Sequence, residues 1–421
     1  MKHSRSEGFT SYQKLVVGIL AFLQFTIILD FMILSPLGAV LMPDLKITAS
    51  QFGLVVSVYA FSAGISGLLA AGFADRFDRK KLLLFFYTGF VLGTFLCGIA
   101  TDYHFLLFAR MITGLFGGVI GSIVFAITTD LFPMEMRGRV MGYVQTAFAG
   151  SQVLGIPIGL YLSNHFGWHS PFLMIVGISL LVGVIIFTQF KPIDEHLKLR
   201  SERTAVRHLW ETVSKPRYLQ AFAVTALLST GGFMLMPFGS AFSIHNLGVS
   251  LNDLPLVYMI TGLASIFIGP IVGRVSDTFG KYRTFWVGSA LTILMVLIYT
   301  HLGVTPLPLV ILVNVILFVG IFSRMIPAQA LMSAIPSPAD RGSFMSVSSS
   351  VQQISGGIAS ILAGLIVVVS VDGHIEHFDI LGYVVVGATL ITLAMMTVIH
   401  RQLGREAKSS PPVQSVSLVD H

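Results

Sequence analysis

Two stretches decide the fold when one is laid over the other: FADRFDRKK at 73–81 and VSDTFGKYR at 275–283. Each sets an aspartate and a basic cluster directly after a long apolar run, and they superpose at an offset of 202 residues. A second pair, RGRVMG (137–142) and RGSFMS (341–346), superposes at an offset of 204. Two separate matches at nearly one offset indicate an internal duplication. Working outward from these motifs, cuts at charged and Pro/Gly-rich breaks give twelve apolar runs: 15–41, 50–74, 82–100, 104–129, 139–163, 170–190, 217–244, 253–273, 284–300, 306–332, 342–369 and 380–399. Most hold the ~20 residues that cross a hydrocarbon core as a helix. The connections are short except 191–216, so sequence neighbours pack antiparallel. The expectation is an all-α polytopic membrane protein, with twelve transmembrane helices in two six-helix repeats. Its parts are an N-terminal bundle (1–190), a cytoplasmic linker (191–216), a C-terminal bundle (217–400) and a disordered cytoplasmic tail (401–421). Leu197, Leu199, Val206, Leu209 and Trp210 make the linker either a helix on the membrane surface or a solvated tether.

Composition agrees. Of 421 residues, 54% are hydrophobic and 11% charged, against about 25% charged in soluble proteins. With a mean hydropathy of +0.83, a water-soluble enzyme would expose far more apolar surface than such proteins tolerate. A net charge of +6 is too thinly spread to build a nucleic-acid face. Cys97 is the single cysteine, which excludes a disulfide framework and a CxxC metal pair. No HExxH or other ligand spacing appears, so neither a metal nor a cofactor is expected. The apolar run after MKHSRSEGFTSYQK is too long for a signal peptide and reads as the first span. With the N-terminus in the cytoplasm, 23 of the 26 Lys and Arg fall on that side and Lys46 alone on the other. This is the positive-inside pattern, and it makes both termini cytoplasmic. Arg110 and Arg324 are left inside spans.

The chain from about 15 to 400 resembles the major facilitator superfamily. The family signature G-x-L-a-D-R-x-G-R-K reads here Ala71-Gly72-Phe73-Ala74-Asp75-Arg76-Phe77-Asp78-Arg79-Lys80, with Ala71 and Asp78 at the two Gly positions. The second copy, Gly273-x-x-x-Asp277-x-x-Gly280-Lys281, is closer to pattern. An aspartate at a helix end can cap a neighbouring helix and pair with arginine. On that basis Asp75, Arg76, Arg79 and Arg137, with Asp277, Lys281 and Arg341 in the second half, form a cytoplasmic gate; a solvated topogenic cluster is the alternative. The fourth run, Leu106-x-x-x-Arg110-x-x-Thr113-Gly114-x-x-Gly117-Gly118, is similar to L-x-x-x-R-x-x-Q-G-x-G-A-A. In the superfamily's proton-coupled drug exporters that arginine is implicated in coupling. The fifth run, Ser151-x-x-x-Gly155-Ile156-Pro157-Ile158-Gly159-Leu160, lacks one Pro and two Gly of the exporters' G-x-x-x-G-P-P-x-G-G. LDFMILSPLG (29–38) looks like the arabinose-efflux-permease-like branch of the drug:proton antiporters. The resemblance implies a non-enzymatic, monomeric transporter in a bacterial-type inner membrane, working by alternating access with protons and a small-molecule substrate as partners. Symport or facilitated transport of a sugar or organic anion is the alternative, and a polytopic receptor or membrane enzyme a further one.

Ionisable groups inside a bilayer point to function. Asp30 is the single acid in the interior of a run, and helix counting sets it roughly 8 Å from Arg110 in depth, which an extended arginine can cover. Desolvation favours the neutral acid and a neighbouring arginine favours the carboxylate, which makes Asp30 with Arg110 a candidate proton-coupling pair; a static packing pair is the other reading. The polar and aromatic candidates for a substrate cavity are Gln24, Tyr59, Gln145, Gln152, Tyr258, Asn314, Gln329, Gln352 and Gln353. Phe233 and Met236 beside Pro237 add a deformable apolar surface. Arg324 either attracts an anionic substrate group or snorkels towards the cytoplasm. Gly114, Gly117, Gly118 and Gly121 read as sites of close helix packing.

Overall fold

In the computed structural model, the described residues are 9–70, 77–194, 197, 211–337 and 340–409. Three helices open the chain: α1 (Ser11–Leu45), α2 (Ala49–Ala70) and α3 (Arg79–Gly98). Next come α4 (Tyr103–Leu131), α5 (Met134–Gly150), α6 (Ile156–Phe166) and α7 (Ser170–Gln189). The second half holds α8 (Pro216–Leu235), α9 (Gly239–His245), α10 (Leu254–Phe279), α11 (Lys281–Thr300), α12 (Leu307–Ser333), α13 (Arg341–Ile366) and α14 (Phe378–Ser409). Eleven uninterrupted or gently broken helices are long and apolar enough to span a membrane among the described residues. The fifth crossing is the pair α5 and α6 joined by a π turn at Ser151–Gly155. Most of the linker, including Trp210, lies outside the described residues.

Caps and breakers explain the limits. Thr10 and Gln13 form a capping box at α1, and Asp102 accepts from the amides of His104 and Phe105 to start α4. Proline occupies the first turn of α7, α8, α10 and α12, where no intrahelical donor is needed. Inside a helix the same residue breaks the ladder. Pro157 follows the π turn, and Pro237 lies in the 3-10 turn Met236–Phe238 between α8 and α9. The carbonyl of Phe233, which Pro237 cannot serve, accepts instead from Ser360 Oγ at 3.2 Å. The eleventh run ends earlier than its hydropathy implies. Helix α13 stops at Ile366, and Val368–Val369 (β1) pairs antiparallel with Ile375–Glu376 (β2) around a Gly373 turn at φ +85°.

Large apolar side chains such as Phe166, Leu181, Phe187 and Phe267 point outward and are at least two-thirds exposed, as a lipid-facing surface requires. The buried core has a telling division. At the end of the bundle remote from the termini, one apolar cluster takes in both halves, from Leu29, Leu37 and Phe52 to Phe238, Phe242 and Ala363. Towards the termini it splits into two clusters, one of first-half residues from Val16 to Ile193 and one of second-half residues from Tyr218 to Ile399. Hydrogen bonds between the halves follow the same division. Among the described residues they are Ser35 Oγ to the Met236 carbonyl, Ser240 Oγ to the Ser35 carbonyl, Ser57 Oγ to the Gly357 carbonyl and Asn164 Nδ2 to the Leu251 carbonyl. All four lie on the remote side of the middle of their helices. The buried clusters of the halves are therefore joined at the remote end and divided towards the terminal end, where α2 still touches the second half through Leu68. Helices α2 and α13 run closest together. A Cβ on Gly53 would come within 2.6 Å of the Ser360 carbonyl, and one on Gly64 within 2.7 Å of Ile354.

Candidate functional site

Four helices converge on one buried ion pair. Asp30 of α1 and Arg110 of α4 have no solvent exposure, and Arg110 Nη1 donates to Asp30 Oδ2 at 2.8 Å. Thr94 of α3 donates its hydroxyl to the other carboxylate oxygen at 3.1 Å. Tyr59 of α2 presents its ring face to the guanidinium, 4.4 Å from ring centre to Cζ, a cation–π contact that gains strength when desolvated. Arg110 Nε and Nη2 have no partner among the described residues. The carboxylate thus receives the two donors that burial demands, whereas the arginine keeps spare capacity.

The geometry depends on small residues. A Cβ on Gly114 would fall 2.4 Å from the carbonyl oxygen of Tyr59, and one on Gly118 2.4 Å from Ala63 Cα. Without them α4 could not lie against the α2 backbone and Tyr59 could not cover Arg110. Gly93 does the same between α3 and α4, where a Cβ would meet Thr113 N at 2.7 Å. Gly121, grouped with these from the sequence, has open space around its Cβ position.

The ion pair connects to the seam between the halves through aromatic rings. Phe31, next to Asp30, lies 5.3 Å from the Tyr59 ring and 5.6 Å from Phe233 of the second half. Phe31, Leu34, Ser35 and Val56 face Phe233, Met236 and Pro237 across a closed space about large enough for one water molecule. Phe233 and Met236 therefore meet first-half residues directly. Gln152 is buried in the π turn, where a Cβ on Gly262 of α10 would be 3.1 Å from its carbonyl carbon. Tyr258 and Gln352 are half-buried, Gln24 is half-buried on α1, and Gln145 is exposed on α5. Asn314 donates to the Val310 carbonyl of its own helix at 2.9 Å and joins no cluster. Arg324 is buried on α12 and makes neither a hydrogen bond nor an ion pair among the described residues.

In the first half, the basic motifs near the termini make contacts within that half. Arg79 Nε pairs with Asp130 Oδ2 at 3.0 Å, joining the start of α3 to the end of α4. Arg137 donates to the carbonyls of Thr129 and Phe132 at 2.7 and 2.9 Å, satisfying the last turn of α4. Asp78 caps α3 through the Lys81 amide and also accepts from the Ile193 amide at 3.0 Å, so it pins the first residues of the linker. Asp277 and Lys281 are exposed. Asp75, Arg76 and the side chain of Arg341 lie outside the described residues. Sequence reasoning missed Asp130, Thr94 and a second anchor, Asp340. Asp340 Oδ2 accepts from Lys215 Nζ at 2.6 Å, Tyr218 Oη at 2.7 Å and Ser337 Oγ at 2.9 Å. Led by the Lys215 hydrogen bond, these donors hold the Asp340 carboxyl well below the usual carboxylate range.

A family model described as Major Facilitator Superfamily matches residues 20–360. The chain belongs to the major facilitator superfamily. Among this superfamily's curated members, it is 26% identical over 391 residues to the uncharacterized MFS-type transporter YceJ of Bacillus subtilis (strain 168), covering 91% of this chain and 95% of that protein. Multidrug resistance protein 1 of the same organism is 27% identical over 309 residues, covering 70% of this chain and 74% of its own length. A bacterial homologue of the human lysosomal transporter Spinster, in an inward-facing and occupied conformation, superposes with a TM-score of 0.69 at 16% identity, covering 96% and 98% of the two chains. A D-xylose-proton symporter gives 0.73 at 17% identity, with 91% and 97% covered. These likenesses agree with the twelve-helix fold. Membership makes the chain a multi-pass membrane transporter for a small molecule, not an enzyme.

Proposed function

We propose that this transporter exports small amphipathic compounds in exchange for protons, by alternating access. The observation that carries the reading is the buried Asp30–Arg110 pair set one residue from the aromatic contact between the halves. A proton on Asp30 removes the charge that balances Arg110, and a buried unbalanced arginine is costly. Protonation therefore favours an arrangement in which Arg110 finds other partners, and its free Nε and Nη2 allow that. A compound wedged between Phe31 and Phe233 displaces α1 at the residue beside Asp30. Proton and compound then bias the same helix, and each must alter the affinity for the other by the same factor. The names of the multidrug resistance relatives support the class of cargo.

The charge distribution orients the cycle. With 23 of the 26 Lys and Arg on the terminal side, that side is cytoplasmic. The separately packed clusters then face the cytoplasm, and the shared core seals the outer side. Cargo enters from the cytoplasm, and movement about the seam exposes it outward. Arg79, Asp130 and Arg137 keep the first half rigid during that movement, the part this reading gives to the terminal-side motifs. Flux of an amphipathic dye in proteoliposomes, with and without an imposed pH gradient, tests the proposal. The gradient is expected to drive dye uphill in the wild type. Asp30→Asn is expected to lower gradient-driven flux about 100-fold with folding intact. Gradient-independent wild-type flux, or full coupling in Asp30→Asn, overturns it.

A further inference from the structure

The second half contains a buried arginine with no balancing carboxylate among the described residues. Arg324 is 4% exposed, and its Nε and Nη2 have no partner among the described residues. It reaches α8 at Gly231, where a Cβ would stand 3.4 Å from Nη1 and 3.6 Å from Val385 Cγ1. No carboxylate is there, because the α8 residue facing the guanidinium has no side chain. The next residue, Gly232, is exposed, and nothing lies within 4 Å of its Cβ position. From these two glycines α8 continues into Phe233, Met236 and Pro237, the apolar wall of the space between the halves.

Burying a guanidinium without an anion is strongly unfavourable, and in Arg110 the same problem is solved internally by Asp30. We infer that Arg324 is completed by the cargo itself: it takes the anionic group of the transported compound, whose apolar body lies along Gly232–Met236. The substrate class is then amphipathic monoanions, of which aryl carboxylates are the simplest. A planar guanidinium with two free edge donors suits a carboxylate held by parallel hydrogen bonds. The inference rests on the reading that cargo binds between the halves.

The test is binding of 2-naphthoate and the uncharged 2-naphthamide to the purified full chain in detergent, by calorimetry. The wild type is expected to favour 2-naphthoate at least about tenfold, the discrimination of one charge-assisted contact. Arg324→Gln is expected to bring the ratio to about one, and Arg324→Lys to restore part of it. Persisting 2-naphthamide binding reports an intact fold. As a second route that keeps the arginine, Gly231→Asp supplies an internal carboxylate and is expected to abolish the preference while raising Tm. A wild type without the preference, or a preference that survives both Arg324→Gln and Gly231→Asp, overturns the inference. Failure of proton exchange would appear instead as gradient-independent flux with the binding ratio unchanged.

Discussion

The fourth helix of each repeat carries one buried arginine, and the two halves treat it in opposite ways. In the first half Arg110 is matched by Asp30, steadied by Thr94 and roofed by Tyr59. In the second half Arg324 faces a glycine. The arginines are not register equivalents either. The offset of 204 residues carries Arg110 onto Asn314, whose amide has folded back on its own helix. Duplication supplied the scaffold twice, and the charges were then placed separately. The difference teaches that the first half balances its buried arginine with its own carboxylate, while among the described residues the second half offers Arg324 none.

The sharpest way to break this comparison is to delete each arginine. Arg110→Ala leaves Asp30 buried and uncompensated, at an expected cost of about 3–5 kcal/mol, read as a large fall in Tm. The double variant Asp30→Asn with Arg110→Gln is expected to recover most of that loss. Arg324→Leu removes a charge that has no partner among the described residues, and Tm is expected to hold or rise. Equal losses from the two single deletions would end the distinction between the halves.

A smaller effect tests how Tyr59 is brought over Arg110. Gly114→Ala puts a methyl 2.4 Å from a backbone oxygen, and overpacking of this kind costs about 1–3 kcal/mol. Gly121→Ala meets open space and gains up to about 1 kcal/mol of helix propensity. Thermal unfolding in one detergent compares them; a neutral Gly114→Ala would mean that α2 and α4 can separate without harm.

The smallest effect concerns the anchors at the terminal end, Asp78 in the first half and Asp340 in the second. The Asp340 carboxyl is depressed below its ordinary 3.8, so its contribution is complete above about pH 4 and is lost as pH falls through the folded-state value. The Tm gap between wild type and Asp340→Asn is therefore expected to stay constant from about pH 6 to pH 8 and to narrow below about pH 4. A gap that varies across the neutral range would show that another titrating group governs this anchor.

Much of this was legible in the sequence for specific reasons. Twelve runs and two matched motifs are enough to give the fold, because a bilayer admits few alternatives for such runs. Asp30 and Arg110 could be paired because a lone acid and an arginine at similar depth have few other options. Thr94 could not be picked out, since threonine is common in spans and its hydroxyl usually bonds its own helix. Asp130 escaped notice because it stands at a helix end, where a carboxylate is ordinarily solvated. The hairpin at Val368–Glu376 was absorbed into a span because VVV continues the hydropathy of the helix before it. The π turn carries no hydropathy signature; Pro157 marked the place without revealing the turn type.

The anchors on the linker have a consequence for its reach. Asp78 fixes the chain at Ile193 and Asp340 fixes it again at Lys215. The stretch between these two bolts, 22 peptide units long, can extend to roughly 70 Å. The contacts that join the two bundles directly are of another kind: serine hydroxyls and side-chain-free glycines along α2 and α13, where backbone meets backbone.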